Sequence, residues 1–143
     1  MSDTFAVNPR AEENLARVGR FLEQARDRPE SVWGIFHEDV VWDMSGIPAA
    51  PDVSPKSHGP ESVRDFFRRW AGTFQDWEYT IEKLTAGPGT VVAQIHQRGI
   101  GKGSGVPVDA RFWQIWVMQR GQAIRVTHRL DEVEALKDAG LAE

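Results

Sequence analysis

Four stretches in the second half of the chain, at about 77–84, 90–101, 108–119 and 123–130, are rich in β-branched and aromatic residues, and AGPGT, GKGSGVP and QRGQ separate them. Glycine and proline at those junctions favour tight turns, and strands joined by connections this short pair antiparallel. A meander of four strands is therefore the frame into which the rest of the chain must fit.

The last of these strands, AIRVTHRL at 123–130, alternates with period two. Such alternation buries one face, so Ala123, Arg125, Thr127 and Arg129 take the water side while Ile124, Val126, His128 and Leu130 turn inward. An imidazole without a partner in an apolar interior costs about 1–3 kcal/mol. Either the fold supplies a partner for His128, or a cavity there admits water or a ligand.

Helical signals dominate the first half. Asn8 before Pro9 marks a helix start, and Leu15, Val18, Leu22 and Ala25, with Phe21 beside them, form one face of a helix running to about Arg26. Pro29 restarts a short turn through Val32, Trp33 and Phe36, and EDVVWDM reads as a strand over about Val40 to Met44. SGIPAAPDVSPKSHG, residues 45–59, holds three prolines and two glycines and reads as a surface loop placed to cover a pocket mouth as a lid. Gly59-Pro60-Glu61 then opens a strongly amphipathic helix bearing Val63, Phe66, Phe67, Trp70 and Phe74 on one face. A terminal helix follows, capped by Asp131 and stopped at Gly140. The expected class is α+β, with helices on one face of a curved, mostly antiparallel sheet that wraps them into a cone with a central pocket.

The 143 residues suit a single domain from residue 8 to 143, after a flexible start at 1–7. A formal charge of -4, with scattered basic residues, gives no footprint for nucleic acid. Cysteine is absent, which removes disulfides and thiolate chemistry, and MSDTFAVNPRAEENL lacks a signal-peptide core. No apolar run reaches the length of a membrane span, so a cytoplasmic protein with no membrane partner is expected. Six tryptophans and seven phenylalanines against one tyrosine supply large, mostly apolar rings that suit a cavity lining as well as a core.

Taken together, FHEDVVWD at 36–43, HGPESVRDFFRRW at 58–70, RGIGKGSGVPVDARFWQIWVM at 98–118 and RGQAIRVTHRLDEVEALKDAGL at 120–141 resemble the nuclear transport factor 2-like (NTF2-like) superfamily. Within it they are similar to the SnoaL-like branch, which contains polyketide cyclases and resembles ketosteroid isomerase. The resemblance covers about Asn14 to Leu141 and implies the NTF2-like, or cystatin-like, cone with a small-molecule pocket. One such cone serves isomerases, cyclases, dehydratases, epoxide hydrolases and binding modules, so fold alone does not give function. The isomerase's own acids are not carried over: its first donor falls at Phe21, its second near Trp113 or Gln114, and its base at Met44 or, with a one-residue shift, Asp43.

The resemblance also puts His128 on the cavity-facing row, as its parity does. An imidazole titrates near physiological pH and suits a general acid or base, and a buried Asp43 would orient it and strengthen it as a base. The alternative parity, with Val40, Trp42 and Met44 inward, sends Asp43 outward as an ordinary solvated carboxylate. The expected lining is Phe21, Trp42, Met44, Phe66, Trp70, Trp113 and Val126. His96 alternates with Gln94 and Arg98 and reads as part of a polar outer face, while His37 and His58 read as solvent-facing. Arg111, Trp113, Ile115 and Val117 face one way on their strand, and Phe112, Trp116 and Met118 the other. Both rows are largely apolar, which predicts that a second copy of the chain covers the sheet in a homodimer. No spacing suits a metal, GIGKGSG lies between two strands as a hairpin turn, and no cofactor motif is present.

Three readings follow: a cofactor-free acid–base enzyme (cyclase, isomerase or lyase) acting on an apolar carbonyl compound, a non-catalytic small-ligand-binding module, or a dimerisation domain with a filled core. An enzyme should bring His128 and at least one further polar group to a wet cavity. A binding module should show one isolated polar group, and a scaffold no cavity.

Overall fold

The computed structural model describes residues 9–25, 32–47 and 55–141. The expectations for 1–7, Asn8, Pro29 and the middle of the lid segment, 48–54, lie outside them. Helix α1 spans Pro9–Gln24, a single 3-10 turn spans Trp33–Ile35, and strands β1 (Phe36–Asp43) and β2 (Lys56–His58) precede helix α2 (Pro60–Thr73). Strands β3 (Phe74–Gly87), β4 (Thr90–Gly101), β5 (Pro107–Gln119) and β6 (Gln122–Arg129) form the expected meander, and helix α3 (Glu132–Asp138) closes the chain.

The six strands lie in the order β2-β1-β6-β5-β4-β3. Neighbours are antiparallel except β1 and β6, which run parallel with Trp42 opposite Val126 and Asp43 opposite Thr127. β1 begins at Phe36, four residues before the β-branched run that marks it in the sequence. β2, inside the segment read as loop, adds a short edge to β1 by pairing Val41 with His58. β3 leaves α2 without a linker; Asp76, at a φ of 56°, breaks its register against β4 between Gln75 and Glu78. A bulge of this kind increases twist and helps a sheet curl around its helices.

The concave face carries the core. Val91, Ala93 and Ile95 of β4, Trp116 and Met118 of β5, and Val126 of β6 are buried against Val18, Phe21 and Leu22 of α1 and Val63 and Phe66 of α2. Phe21 is the hub, with ring centroids 5.1 Å from Trp33 and from Phe36, 5.5 Å from Trp116 and 5.7 Å from Phe67. Most of these contacts are edge-to-face, each contributing about 0.5–1.5 kcal/mol beyond the area buried. They fill this part of the concave side with solid packing.

Two parity expectations are corrected. The β5–β6 register shifts between Val117, opposite Arg125, and Met118, opposite Ala123, so Ile124 is an extra residue on β6. The bulge reverses the alternation below it: Ala123 is fully buried instead of wetted, while Val126 and His128 keep the inward positions. Leu130 lies beyond the strand end and is 51% exposed.

Trp113 is the second correction: it lies on the convex face, not in the lining. There Val92 and Ile115 are buried beneath Ala135 of α3 and Ala139 just after it, with Trp113, Leu136 and Leu141 packed around them. The Asp131 carboxylate caps α3 by accepting from the Val133 N–H at 2.9 Å. Gly140, at a φ of 76°, ends it, and the Leu141 N–H reaches back to the Leu136 carbonyl at 2.8 Å. α3 thus covers Ile115 and Trp113, part of the outer row of β5 from which the sequence predicts a second copy. Beyond α3 the same face is charged: Glu82 accepts from Gln94 and Arg111, and His96 lies against Asp109.

Candidate functional site

Beside this packed region, the concave side of the sheet is hollow. Its cavity volume is about 40 Å³, room for only a few waters, so a larger occupant needs its walls to move apart. α2 contributes Phe66, Phe67 and Trp70; β3 contributes Trp77 and Tyr79; β1 and the turn after it contribute Trp42, Met44 and Ile47. The concave rows of β4, β5 and β6 bring Ile95 with Gln97, Phe112 with Gln114, and His128. Leu22 of α1 completes the wall, and Tyr79 fixes α1 to the sheet by donating to the Leu22 carbonyl.

Four expected lining residues, Trp42, Met44, Phe66 and Trp70, do line the hollow. Phe21 and Val126 are buried in the packed core, outside that lining. Gln97 and Gln114 were missed. Each is a polar residue interrupting an inward apolar row, the same signal that singles out His128.

The polar groups form a directed chain. Trp116 Nε1–H donates to Gln114 Oε1 at 3.0 Å, Gln114 Nε2 stands 3.3 Å from His128 Nε2, and His128 Nδ1 stands 2.9 Å from the main-chain carbonyl of Asp43. An indole can only donate and a carbonyl can only accept, so both ends fix the direction. His128 therefore carries its proton on Nδ1 and accepts at Nε2. Its ring is 2% exposed and lies 4.8 Å from the Trp42 ring. Burial pushes its pKa down to about 4, against a smaller opposing pull from the Asp43 carbonyl and carboxylate. The imidazole is neutral at physiological pH.

Asp43 is buried, yet its carboxylate does not meet the imidazole. Trp42 takes the inward position of β1, and the Asp43 side chain turns to the other face. There Oδ1 accepts from the Ser45 N–H at 2.9 Å and from its hydroxyl at 2.6 Å, and Oδ2 accepts from Arg125 at 2.6 Å. Burial alone would push this carboxyl up, but the Ser45 hydrogen bonds and the Arg125 guanidinium together hold it below the usual carboxylate range. The carboxylate–imidazole pair expected from the sequence is replaced by a carbonyl–imidazole pair, because a one-residue change of parity turns a strand side chain to the opposite face.

A second polar node sits across the hollow. Gln97, 6% exposed, accepts at Oε1 from the indole N–H groups of Trp70 and Trp77, each at 3.1 Å. No carboxylate or ammonium among the described residues lines the hollow. Among the described residues, no group of three or more His, Asp or Glu is set to hold a metal, and no helix is long and apolar enough to cross a membrane. The arrangement offers aromatic planes, amide donors and one neutral imidazole whose lone pair is engaged by Gln114.

Residues 18–126 match the family of SnoaL-like domains. No curated protein matches the chain. Among solved structures, a protein of Jannaschia sp. CCS1 provisionally named a SnoaL-like polyketide cyclase superposes with a TM-score of 0.73 at 20% identity, covering 96% of this chain and 98% of its own. TerC co-crystallised with polyporic acid gives 0.70 at 17% identity, covering 87% and 96%. An LEH-like epoxide hydrolase of M. tuberculosis gives 0.65 at 17% identity, covering 90% of each chain. These likenesses show the NTF2-like fold. The match over most of its length makes this chain a member of the SnoaL-like domain family.

Proposed function

We propose that the hollow binds a flat, apolar, carbonyl-bearing small molecule and that neutral His128 takes a proton from the carbon beside its carbonyl, without a cofactor. The observation that carries this reading is the placement of the His128 imidazole on the wall of an aromatic hollow in a fixed tautomer, its basic nitrogen on the side of Gln114 and away from the Asp43 carbonyl. Slim, ring-lined space favours a planar occupant, and amide donors on the wall favour one with an acceptor oxygen. Asp43 serves as the orienter through its main chain. Cyclisation, isomerisation and elimination beside a carbonyl all begin with such a proton transfer.

The test is exchange of acidic hydrogens. A panel of aromatic and polycyclic ketones is incubated with the protein in deuterium oxide and followed by mass spectrometry. Enzyme-dependent deuterium uptake beside the carbonyl, lost in His128→Gln, is the expected result. Uptake equal with and without protein, across ketones that bind, removes the catalytic reading.

One observation favours a second reading, a binding module without turnover. Both His128 nitrogens are hydrogen-bonded within the protein, and burial leaves the ring a weak base. Binding without exchange, weakened by filling the hollow, is its signature.

A further inference from the structure

Gln97 is held unlike any other polar group in the hollow. Its Oε1 receives two indole N–H donors, Trp70 from α2 and Trp77 from β3. Since neither indole can accept, the amide cannot flip, and its Nε2 must occupy the other position. That nitrogen finds no acceptor among the described residues, although Gln97 is 94% buried, taking its 6% exposure from the whole. Among the described residues, the buried side-chain atoms closed off without partners are the indole nitrogens of Trp33, Trp42 and Trp113, and this nitrogen is not one of them. Gln97 lines both the hollow and the adjoining groove walled by Phe74, Lys102 and Phe112, so this unpaired amide stands beside space that a ligand can enter. An unpaired amide donor in such surroundings costs free energy that only a ligand acceptor or water recovers.

Resting on the proposed small-molecule reading, we infer that Gln97 is the specificity-determining residue of the hollow. Its locked amide selects planar apolar molecules that present a carbonyl or oxyanion oxygen, and rejects isosteres that lack one. Two features make the selection sharp. The amide is fixed before the ligand arrives, so little ordering cost falls on binding. Among the described residues, no carboxylate lines the hollow to reward a cation or a donor-only ligand.

The test uses the whole chain and a matched pair, fluorenone and fluorene, which share a planar tricyclic frame and differ by the carbonyl oxygen. Affinity is read from quenching of tryptophan fluorescence, with tetramethylammonium as a cationic control. Wild-type protein should bind fluorenone roughly tenfold more tightly than fluorene, the ratio expected of one well-made neutral hydrogen bond. In Gln97→Met the ratio should fall to near one while fluorene still binds. Gln97→Glu preserves an acceptor for both indoles, guards against a folding artefact, and should also lose the preference once its carboxyl ionises. Equal binding of the pair by the wild type, or a preference that survives Gln97→Met, overturns the role of Gln97 while leaving the hollow as a binding site. Tetramethylammonium binding tighter than fluorenone overturns the acceptor rule. Binding of none of the three, with the fold intact by circular dichroism, removes the proposed function itself.

Discussion

His128 donates from Nδ1 to the main-chain carbonyl of Asp43 across 2.9 Å, while the carboxylate of that same aspartate is bound to Ser45 and Arg125 on the other side of the strand. One residue thus serves two faces. Its backbone sets the imidazole tautomer and its side chain ties β1 to β6. The following predictions separate the two roles.

The first concerns pH and stability. The folded-state pKa of His128, about 4, lies below the ordinary histidine value of 6.5, so the unfolded chain binds the extra proton first on acidification. The neutral ring's contribution is complete above pH 6.5 and is lost as pH falls towards 4. The loss approaches roughly 3 kcal/mol at the lower end. Urea denaturation at pH 7 and pH 4.5 should show this fall in the wild type and a shallower one in His128→Gln.

A second prediction separates carbonyl from carboxylate. Asp43→Asn should cost about 1–2 kcal/mol in denaturation, since it weakens a charge-assisted contact to a half-exposed arginine and disturbs two hydrogen bonds. Because the carbonyl that holds His128 survives, ketone deuterium exchange should fall far less than in His128→Gln. An equal loss would restore the carboxylate as the imidazole's working partner.

Gly46 gives a third. A Cβ built there overlaps the main-chain oxygen of His128, which is backbone and cannot swing away. Gly46→Ala should therefore push the turn after β1 off β6 and cost about 1–3 kcal/mol, typical of overpacking. Thermal melting checks the cost, and a changed fluorenone affinity would report that Met44 and Ile47 moved with the turn.

The fourth concerns the sheet's outer face. Asp131→Ala removes the side-chain cap of α3 and should cost about 1 kcal/mol. As α3 covers Val92, Ile115 and Trp113, fraying it should raise binding of a hydrophobic dye before the main unfolding transition. Protein in which the dye signal and the tertiary signal change together would show that α3 is not a separate unit.

How much of this was legible in the sequence depends on range. The meander, the two long helices and the α3 cap rest on local patterning, and that patterning survives into the fold nearly unchanged. The inward direction of His128 also held, since the bulge at Ile124 lies before it in the strand. What failed was parity wherever a bulge or a packing partner distant in sequence intervened. Ala123 turns inward because β6 carries one extra residue. Trp113 turns outward beneath α3, a helix whose docking no strand pattern announces. β2 has only three residues, too few for alternation to show. Gln97 was legible in principle, standing two residues after Ile95 on the inward row, but which indoles would meet it depends on how α2 and β3 cross.

The most direct test of the account is nitrogen NMR of the His128 imidazole, observed as pH is lowered from 8 to 3.5 and again with fluorenone present. The account predicts one neutral tautomer, protonated at Nδ1, that persists to about pH 4 and whose Nε2 resonance shifts when the ketone binds. A ring that titrates near 6.5, or a proton found on Nε2 with no response to any planar ketone, would contradict it.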